Sequence, residues 1–539
     1  MHRPTPGQPL SDGAKLAGAE PAADREALRL QLQAALDAQK SRAERNRLGQ
    51  FATPTALALD ILRYAKRLLP SRGKVRFLDP ALGTGAFYSA LRAVFPTSRI
   101  SGALGFERDP HYGEPAAALW GDAGLTLRVQ DFTQALPVPE HTLLICNPPY
   151  VRHHHLSPDE KTRLSQKTWE ASGLRPGGLT GLYGYFLGLC HAWMADGGLA
   201  GWLIPSEFMD VNYGAELRRY LLTQVTLLHI HRFDPSEVQF ADALVSSAVV
   251  WLRKSPPPPD HAVRFSFGGR LDAPTVCREV GTTELLRERK WSRFPQAEPR
   301  AHHVLPTLGD FFQIRRGLAT GDNAFFILSE RALSAHRLPA ELFTPILPSP
   351  RELPACEVQA DELGLPSLPE RWFLLDTRLT AEVIAARYPT LDTYLKAGQA
   401  RGLHLGYLCR HRTPWYAQEQ RPAAPIVCTY LGRSDGGSRR PFRFIRNRSR
   451  ATVANVYLAM YPKPRLLAAM AQDPRLIDRV WALLQEIPTA QLLGEGRVYG
   501  GGLHKLEPRE LSNVAVPALA AWVQELVGAS AVRELDETC

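Results

Sequence analysis

An apolar run at 143–146 stops at Asn147-Pro148-Pro149-Tyr150, and these four residues can hold a flat amine. An unbroken apolar run is typical of a buried parallel strand, and two prolines, which lack the N–H that a ladder needs, end it. Asn147 then stands at a carboxyl edge, where ligands bind in an open α/β sheet. The Asn147 side-chain oxygen and the Pro148 carbonyl can each accept one hydrogen of a planar NH2, while the Tyr150 ring covers the π-face of the attached heterocycle. Such a grip would polarise the amino nitrogen towards nucleophilic attack. Taken alone, the tetrapeptide also fits a strand that ends in a Pro-Pro turn.

Three earlier strands are expected to bring further groups to the same edge. The stretch 74–79 reads as a strand ending in Asp79 and runs into Pro80-Ala81-Leu82-Gly83-Thr84-Gly85, with a helix to follow. A strand, a Gly-containing turn and a helix let a cofactor lie close against backbone amides, so Asp79, Ala81 and Gly83 are candidates to meet one. A second strand, 100–106, ends in Glu107, placed to accept two ribose hydroxyls. A third, 125–129, leads to Asp131 and Phe132, able to bond an adenine amino group and to stack on its ring. Ahead of them a helix is expected from Asp24 through Lys40 to Gly49, broken by Gly49-Gln50-Phe51-Ala52-Thr53-Pro54 and restarted at 55–69. Thr53 precedes a proline at a helix start, where free N–H groups favour a carboxylate ligand; an ordinary N-cap serves it equally.

Beyond the fourth strand, 151–178 is polar and reads as a loop or short helix. His153-His154-His155 cannot all converge on one ion from regular structure, so a solvent-exposed or backbone-contacting run is expected and no metal site. Then come an apolar helix (182–194), a turn at Asp196-Gly197-Gly198, a strand (199–204), a helix-to-strand passage (220–231) and a strand at 243–252. A polyproline loop at 255–260 and a hairpin around Val263, Phe265 and Phe267 close the domain near residue 300. The opening stretch, 1–23, is rich in Pro, Gly and Ala and is expected to be disordered.

The C-terminal half consists of Pro-rich loops, short strands and scattered helices. Residues 433–450 carry seven arginines against one acid, Asp435, with Phe442 and Phe444 interleaved, the pattern of a phosphate-facing surface. With the patches at 315–321, 412–416 and 499–505 they give Arg315, Arg316, Trp415, Arg443, Arg446 and Lys505 as candidate nucleic-acid contacts.

The 64 Lys plus Arg against 54 Asp plus Glu leave +10, which allows an acidic partner without requiring one. No apolar window is long enough to span a bilayer and Met1-His2-Arg3-Pro4 lacks a signal-peptide core, so a cytoplasmic protein is expected. Seven cysteines with no CxxC pair fit reduced thiols. The absence of a Gly-x-x-x-x-Gly-Lys motif argues against an NTPase, and no spare segment offers a carboxylate-Lys cluster for a fused nuclease.

The ordered set Gly49-Gln50-Phe51-Ala52-Thr53-Pro54, 79–87, Glu107, Asp131-Phe132 and Asn147-Pro148-Pro149-Tyr150 resembles the gamma class of N6-adenine DNA methyltransferases of type II restriction-modification systems. Two departures stand out: Leu82 where the family commonly has Cys, and Thr180-Gly181 ahead of Leu182-Tyr183-Gly184, where it often has an Asn. The resemblance implies an α/β, Rossmann-like S-adenosylmethionine-dependent catalytic domain at 24–300 and an irregular α+β DNA target-recognition domain at 301–539. It implies S-adenosylmethionine as cofactor, with Thr53 and Ala81 near its methionine end, Asp79 at its amino group, Glu107 on the ribose and Asp131 with Phe132 on the adenine. Asn147 and Pro148 would hold the N6 hydrogens of a flipped-out base, and Tyr150 would stack on it together with Phe240 or Phe233. Spacing to the following strand favours Phe240. The partner implied is double-stranded DNA, with room for a cognate restriction endonuclease acting separately. An RNA adenine methyltransferase and a protein-glutamine methyltransferase, which grips a planar amide in the same way, are the enzymatic alternatives. A non-catalytic DNA-binding specificity protein is the other, against which the intact Asn147, Glu107 and Asp131 speak.

Overall fold

The computed structural model describes residues 22–234, 246–295, 305–433, 440–473, 475–499 and 502–536. Of the expectations above, the disorder of residues 1–23 lies outside the described residues except at Ala22 and Ala23, which are already helical, and so do the positions of Phe240, Asp435 and Arg439. The chain divides into two units, Met1–Glu298 and Pro299–Cys539.

The first unit is built on one nine-stranded sheet. Its strands are β1 (Val75–Asp79), β2 (Ile100–Glu107), β3 (Leu125–Val129), β4 (His141–Cys146), β5 (Met194–Pro205), β6 (Thr226–Arg232), β7 (Ser247–Arg253), β8 (Ala262–Arg270) and β9 (Ala273–Gly281). They lie in the order β3-β2-β1-β4-β5-β7-β6-β8-β9. The first five run parallel, and β7 is antiparallel to both β5 and β6. This is the open α/β sheet expected from the apolar runs. Helices cover both faces, which is why the central strands are apolar without alternation. Phe77, Leu143 and Ile145 pack in one cluster with Ile61, Leu62 and Leu91, whereas their chain neighbours Leu78, Leu144 and Cys146 pack in the other with Leu164, Phe186 and Leu187. A slip of one residue in β4 would exchange the two sets.

The local details depart from expectation where a polar side chain intervenes. The helix expected from Asp24 to Gly49 is two helices, α1 (Ala22–Ala38) and α2 (Arg42–Leu48). Ser41 accepts a hydrogen bond from the Glu44 N–H, and this N-cap starts a new helix although Lys40 and Arg42 suit a continuous one. The Thr55–Leu68 helix, α3, has Pro54 at its N-cap position, so Thr53 is not the cap. Within the stretch read as a loop or short helix, Pro158–Ser172 forms a full helix, opened by a capping box between Ser157 and Glu160. The apolar helix after it ends at Cys190, with a 3-10 turn to Trp193. Asp196-Gly197-Gly198 is an irregular part of β5, with Gly197 at φ 73°.

The second unit holds a five-stranded sheet ordered Phe312–Arg316, Tyr457–Pro462, Ile426–Thr429, Phe444–Asn447 and Glu357–Val358, and two three-stranded sheets, among short helices. This is the irregular α+β architecture expected for it.

Candidate active site

The carboxyl ends of β1, β2, β3 and β4 bring Asp79, Glu107, Asp131 and Asn147 to one edge of the sheet. Between β1 and the next helix the backbone turns sharply, with Gly83 at φ 56° and Gly85 at φ 92°. A side chain at Gly85 would strike the Trp120 indole, whose Nε1–H bonds the Thr84 carbonyl. A Cβ at Gly83 would meet nothing within 4 Å, so this turn faces open space.

Glu107 is tied to the turn by two backbone donors. The Gly83 N–H reaches its Oε2 at 2.9 Å and the Asp109 N–H its Oε1 at 2.8 Å. Burial nevertheless raises its pKa above the usual carboxylate range. Asp79 accepts the Ala81 N–H on Oδ1 at 3.1 Å, but its Oδ2 is buried with no hydrogen-bond partner. Burial, opposed by the Ala81 N–H and reinforced by the Glu107 charge, pushes the Asp79 pKa up to about 8.

Asn147 is held by a segment from the other side of the cleft. Its Nδ2 donates to the Phe51 carbonyl at 3.2 Å and to the Thr53 hydroxyl at 3.1 Å. A carbonyl can only accept, so this contact fixes which end of the amide is nitrogen. The Asn147 Oδ1 is buried with no hydrogen-bond partner. Pro148 is buried beside it. Tyr150 is also buried, its hydroxyl donating to the Leu203 carbonyl at 3.1 Å and its ring 5.8 Å from that of Phe51. Burial drives the Tyr150 phenol well above its usual range, so it stays protonated.

The aromatic candidates separate. Phe132 lies in the core, its ring 5.3 Å from those of Phe106 and Phe186 and 5.5 Å from that of Trp193, so the face expected to stack on an adenine is engaged by protein. Asp131 remains partly exposed and turns the chain by accepting the Thr133 N–H. Phe233 is buried edge-on to His231 at 4.8 Å. Phe240 lies outside the described residues. In a 3-10 turn the His153 and His154 rings meet edge-on and those of His154 and His155 are tilted, with His154 and His155 exposed.

Residues from α1 that the sequence did not single out brace the turn. Arg29 is 1% exposed; its guanidinium holds Glu26 at 2.6 Å and donates to the Thr84 and Thr55 hydroxyls at 3.2 Å. Gln33 accepts the Thr84 hydroxyl at 2.7 Å. The i, i+3 pairing of Glu26 with Arg29 is the available signal, but it reads as an ordinary surface pair until the helix is docked.

In the second unit several of the expected nucleic-acid contacts are structural. Arg446 is buried, bonded to Asp478 at 2.7 Å and to the Pro425 and Asn447 carbonyls. Arg443 donates to the Pro350 and Pro354 carbonyls at 2.8 Å, Arg448 pairs with Glu357 and Asp478, and Arg440 bonds the Gln485 carbonyl. Phe442 and Phe444 are core residues. Arg446 is thus taken up by the fold, which corrects its expected place on a phosphate-facing surface, whereas Arg433, Arg440, Arg448 and Arg450 are exposed. Trp415 packs with Phe325, Phe326 and Tyr416. Arg315 and Arg316 are exposed. Arg316 and Lys505 converge on Tyr430, at 4.2 and 5.1 Å from its ring, and Lys505 pairs with Glu507 at 2.8 Å.

An open, mainly parallel sheet with β7 and the edge strand β9 reversed, a glycine turn and acids at successive strand ends is the arrangement of an α/β methyltransferase. Two family models match this chain: the Eco57I restriction-modification methylase over residues 140–240, and the C-terminal domain of type II methyltransferase M.Eco57I over residues 285–539. Type II methyltransferase M.XamI of Xanthomonas campestris pv. amaranthicola is 28% identical over 88% of this chain and 86% of its own. Type II methyltransferase M.AccI of Acinetobacter calcoaceticus is 25% identical over 87% and 85%. Among solved structures, the type IIL restriction-modification enzyme MmeI in complex with DNA shares the fold, with TM-score 0.53 at 12% identity over 81% of this chain and 66% of that one. These matches support a type II DNA methyltransferase of a restriction-modification system.

S-adenosylmethionine is the expected cofactor, and the residues present fit it. The unpartnered Asp79 Oδ2 suits an ammonium group, the Glu107 carboxylate keeps acceptor capacity for hydroxyls, and the open space over Gly83 admits a ligand against the backbone. Among the described residues no group of three His, Cys, Asp or Glu is placed to hold a metal, and no helix is long and apolar enough to cross a membrane.

Proposed function

We propose that this methyltransferase acts on the N6 amino group of adenine in duplex DNA, with the base turned out of the helix to reach Asn147. One observation carries the proposal. Both Asn147 Nδ2 hydrogens are committed to Phe51 and Thr53, while Oδ1 is buried and without a hydrogen-bond partner. Leaving such an acceptor unsatisfied costs about 1–3 kcal/mol, which an incoming N–H recovers.

An exocyclic amine supplies that hydrogen to Asn147 Oδ1 and its second to the Pro148 carbonyl. Hydrogen bonds from both amino hydrogens to these acceptors raise the electron density on the nitrogen, whose lone pair points out of the ring plane, and the surplus proton leaves to solvent once the nitrogen is alkylated. S-adenosylmethionine, when bound, supplies an electrophilic methyl group. Asn147 stays a neutral amide throughout, because no proton has to leave before attack. Tyr150 and Phe240 grip the base; the enclosure of Phe233 against His231 supports Phe240 over it. Their stacking offsets part of the few kcal/mol that extrusion costs. In this reading Thr53, Asp79, Ala81, Gly83, Glu107 and Asp131 line the cofactor. Arg315 and Arg316 meet DNA, the setting is cytoplasmic, and a cognate restriction endonuclease acts as a separate protein.

The test is methyl transfer from labelled S-adenosylmethionine to duplex DNA, total RNA and a glutamine-bearing peptide, with Asn147→Ala in parallel. Label recovered as N6-methyladenine in DNA and lost in the variant is expected. Label on cytosine, or in RNA or peptide alone, would overturn the substrate.

A further inference from the structure

The segment 49–53 touches two parts of the site at once. On one side it carries the amine grip. The Gly49 carbonyl accepts the Tyr150 N–H at 3.3 Å, Phe51 and Thr53 take both Asn147 Nδ2 hydrogens, and the Phe51 ring packs on Tyr150. The fit is close: a Cβ on Gly49, at φ 68°, would lie 2.3 Å from the Tyr150 nitrogen.

On the other side, Gln50 faces the end of β2. Its Nε2 donates to Asp109 Oδ2 at 2.8 Å and its Oε1 accepts from Lys40 Nζ at 3.3 Å. Lys40 is itself paired with Asp109 and sits 4.9 Å from the Tyr112 ring. The Asp109 N–H, in turn, bonds Glu107 Oε1. An unbroken series of contacts therefore runs from Glu107 through Asp109 and Gln50 along the backbone to Phe51, Thr53 and Asn147. Gln50 joins the two halves, and a carboxamide is suited to the place because it donates to Asp109 while accepting from Lys40.

We infer that Gln50 is a positioning residue that ties the cofactor-ribose end of the site to the aim of the Asn147 carboxamide. Resting on the proposed function, this deepens it: a ligand on Glu107 stiffens the strap 49–53, and the strap holds Asn147 Oδ1 in line for the incoming amine. Losing the Gln50 amide lets the strap shift, and a small misplacement of a positioning group is costly to the rate.

The full-length protein, its Gln50→Ala variant and a second variant, Lys40→Met, test this by two readouts. The first is kcat and KM on duplex DNA beside the dissociation constant of S-adenosylhomocysteine. The second is hydrogen exchange of the Tyr150 amide with and without S-adenosylhomocysteine. Expected for Gln50→Ala is a fall of about tenfold or more in kcat, with melting temperature and S-adenosylhomocysteine affinity close to wild type. Protection of the Tyr150 amide by S-adenosylhomocysteine should be present in wild type and lost in both variants. An unchanged kcat, a loss of S-adenosylhomocysteine affinity in proportion to kcat, or no ligand-dependent protection in wild type would each overturn the inference. Wild type that shows the protection but leaves adenine unmethylated would sink the adenine reading and leave the coupling standing.

Discussion

The Thr53 hydroxyl accepts a hydrogen of the Asn147 carboxamide at 3.1 Å, so a residue 94 positions earlier in the chain fixes the direction of the amide. Thr53→Val keeps the shape and removes the acceptor, which frees one Nδ2 hydrogen and lets the amide turn. A drop in kcat of about tenfold is expected, on the order of 1.4 kcal/mol, with KM for DNA little changed. Thr53→Ser should retain most of the activity. Steady-state kinetics on duplex DNA decide the matter, and an active valine variant would remove Thr53 from the machinery.

The proposed role of Asp79 at the cofactor's amino group predicts a pH dependence of binding. With its pKa pushed up to about 8 by burial, the empty site holds a neutral carboxyl at pH 7, and taking up an ammonium group requires ionisation. S-adenosylhomocysteine affinity should therefore rise with pH to about 8 and then level, with proton release on binding. Calorimetry in buffers of different ionisation enthalpy measures the release, and Asp79→Asn should abolish it.

On the paired strands β6 and β8, His229 Nε2 and His231 Nδ1 both bond the Ser266 hydroxyl, at 2.6 and 2.8 Å, and all three residues are buried. Burial depresses the two imidazoles: to about 3 for His229, where the His231 and Arg264 charges add to the effect, and to about 4 for His231, where a backbone hydrogen bond with Gly269 opposes it and Arg264 adds to it. A depressed pKa means that the unfolded chain binds more protons, so the stability held above about pH 6.5 declines as pH falls towards 4, by up to roughly 1.4 kcal/mol per pH unit for each group. The urea midpoint should drop between pH 7 and 5, and His229→Gln should flatten that drop. A midpoint that holds to pH 5 would contradict this account.

Arg446 and Arg315 should behave as opposites. Arg446 is engaged by Asp478 and two carbonyls, so Arg446→Ala should cost about 1–3 kcal/mol of stability, since Asp478 is part-exposed, and leave the salt dependence of DNA binding unchanged. Arg315 is exposed, and its replacement by Ala should leave stability alone and reduce the slope of log affinity against log salt by about one. Urea denaturation and binding titrations at several salt concentrations distinguish them.

The same contrast marks what residue order made legible. β1 to β4 and the polar groups ending them could be read because an apolar run followed by an acid or amide is a local pattern, and Asp79, Glu107 and Asn147 stand where it predicts. The break at Ser41 is local too, but there a single cap outweighed several helix-favouring neighbours. Partners distant in sequence were not legible. The acid that neutralises Arg446 lies at 478, and the carbonyls that take up Arg443 lie at 350 and 354. Phe132 carries the composition of a stacking residue, yet Phe106, Phe186 and Trp193 converge on it from three other elements. Gln50 gave no sign of its role, since an amide between a lysine and an aspartate emerges only once α1 and β2 are adjacent.

The reversed strand β7 has a consequence for how such a protein can diversify. Because β7 runs against β5 and β6, β6 ends at Arg232 and β7 begins at Ser247 on the same edge of the sheet as Asn147. The glycine turn and Glu107 hang from other strands. Substitutions at these two strand ends can thus retune the proposed hold on the acceptor while the donor's berth keeps its shape, so the two halves of the reaction are free to evolve at different rates.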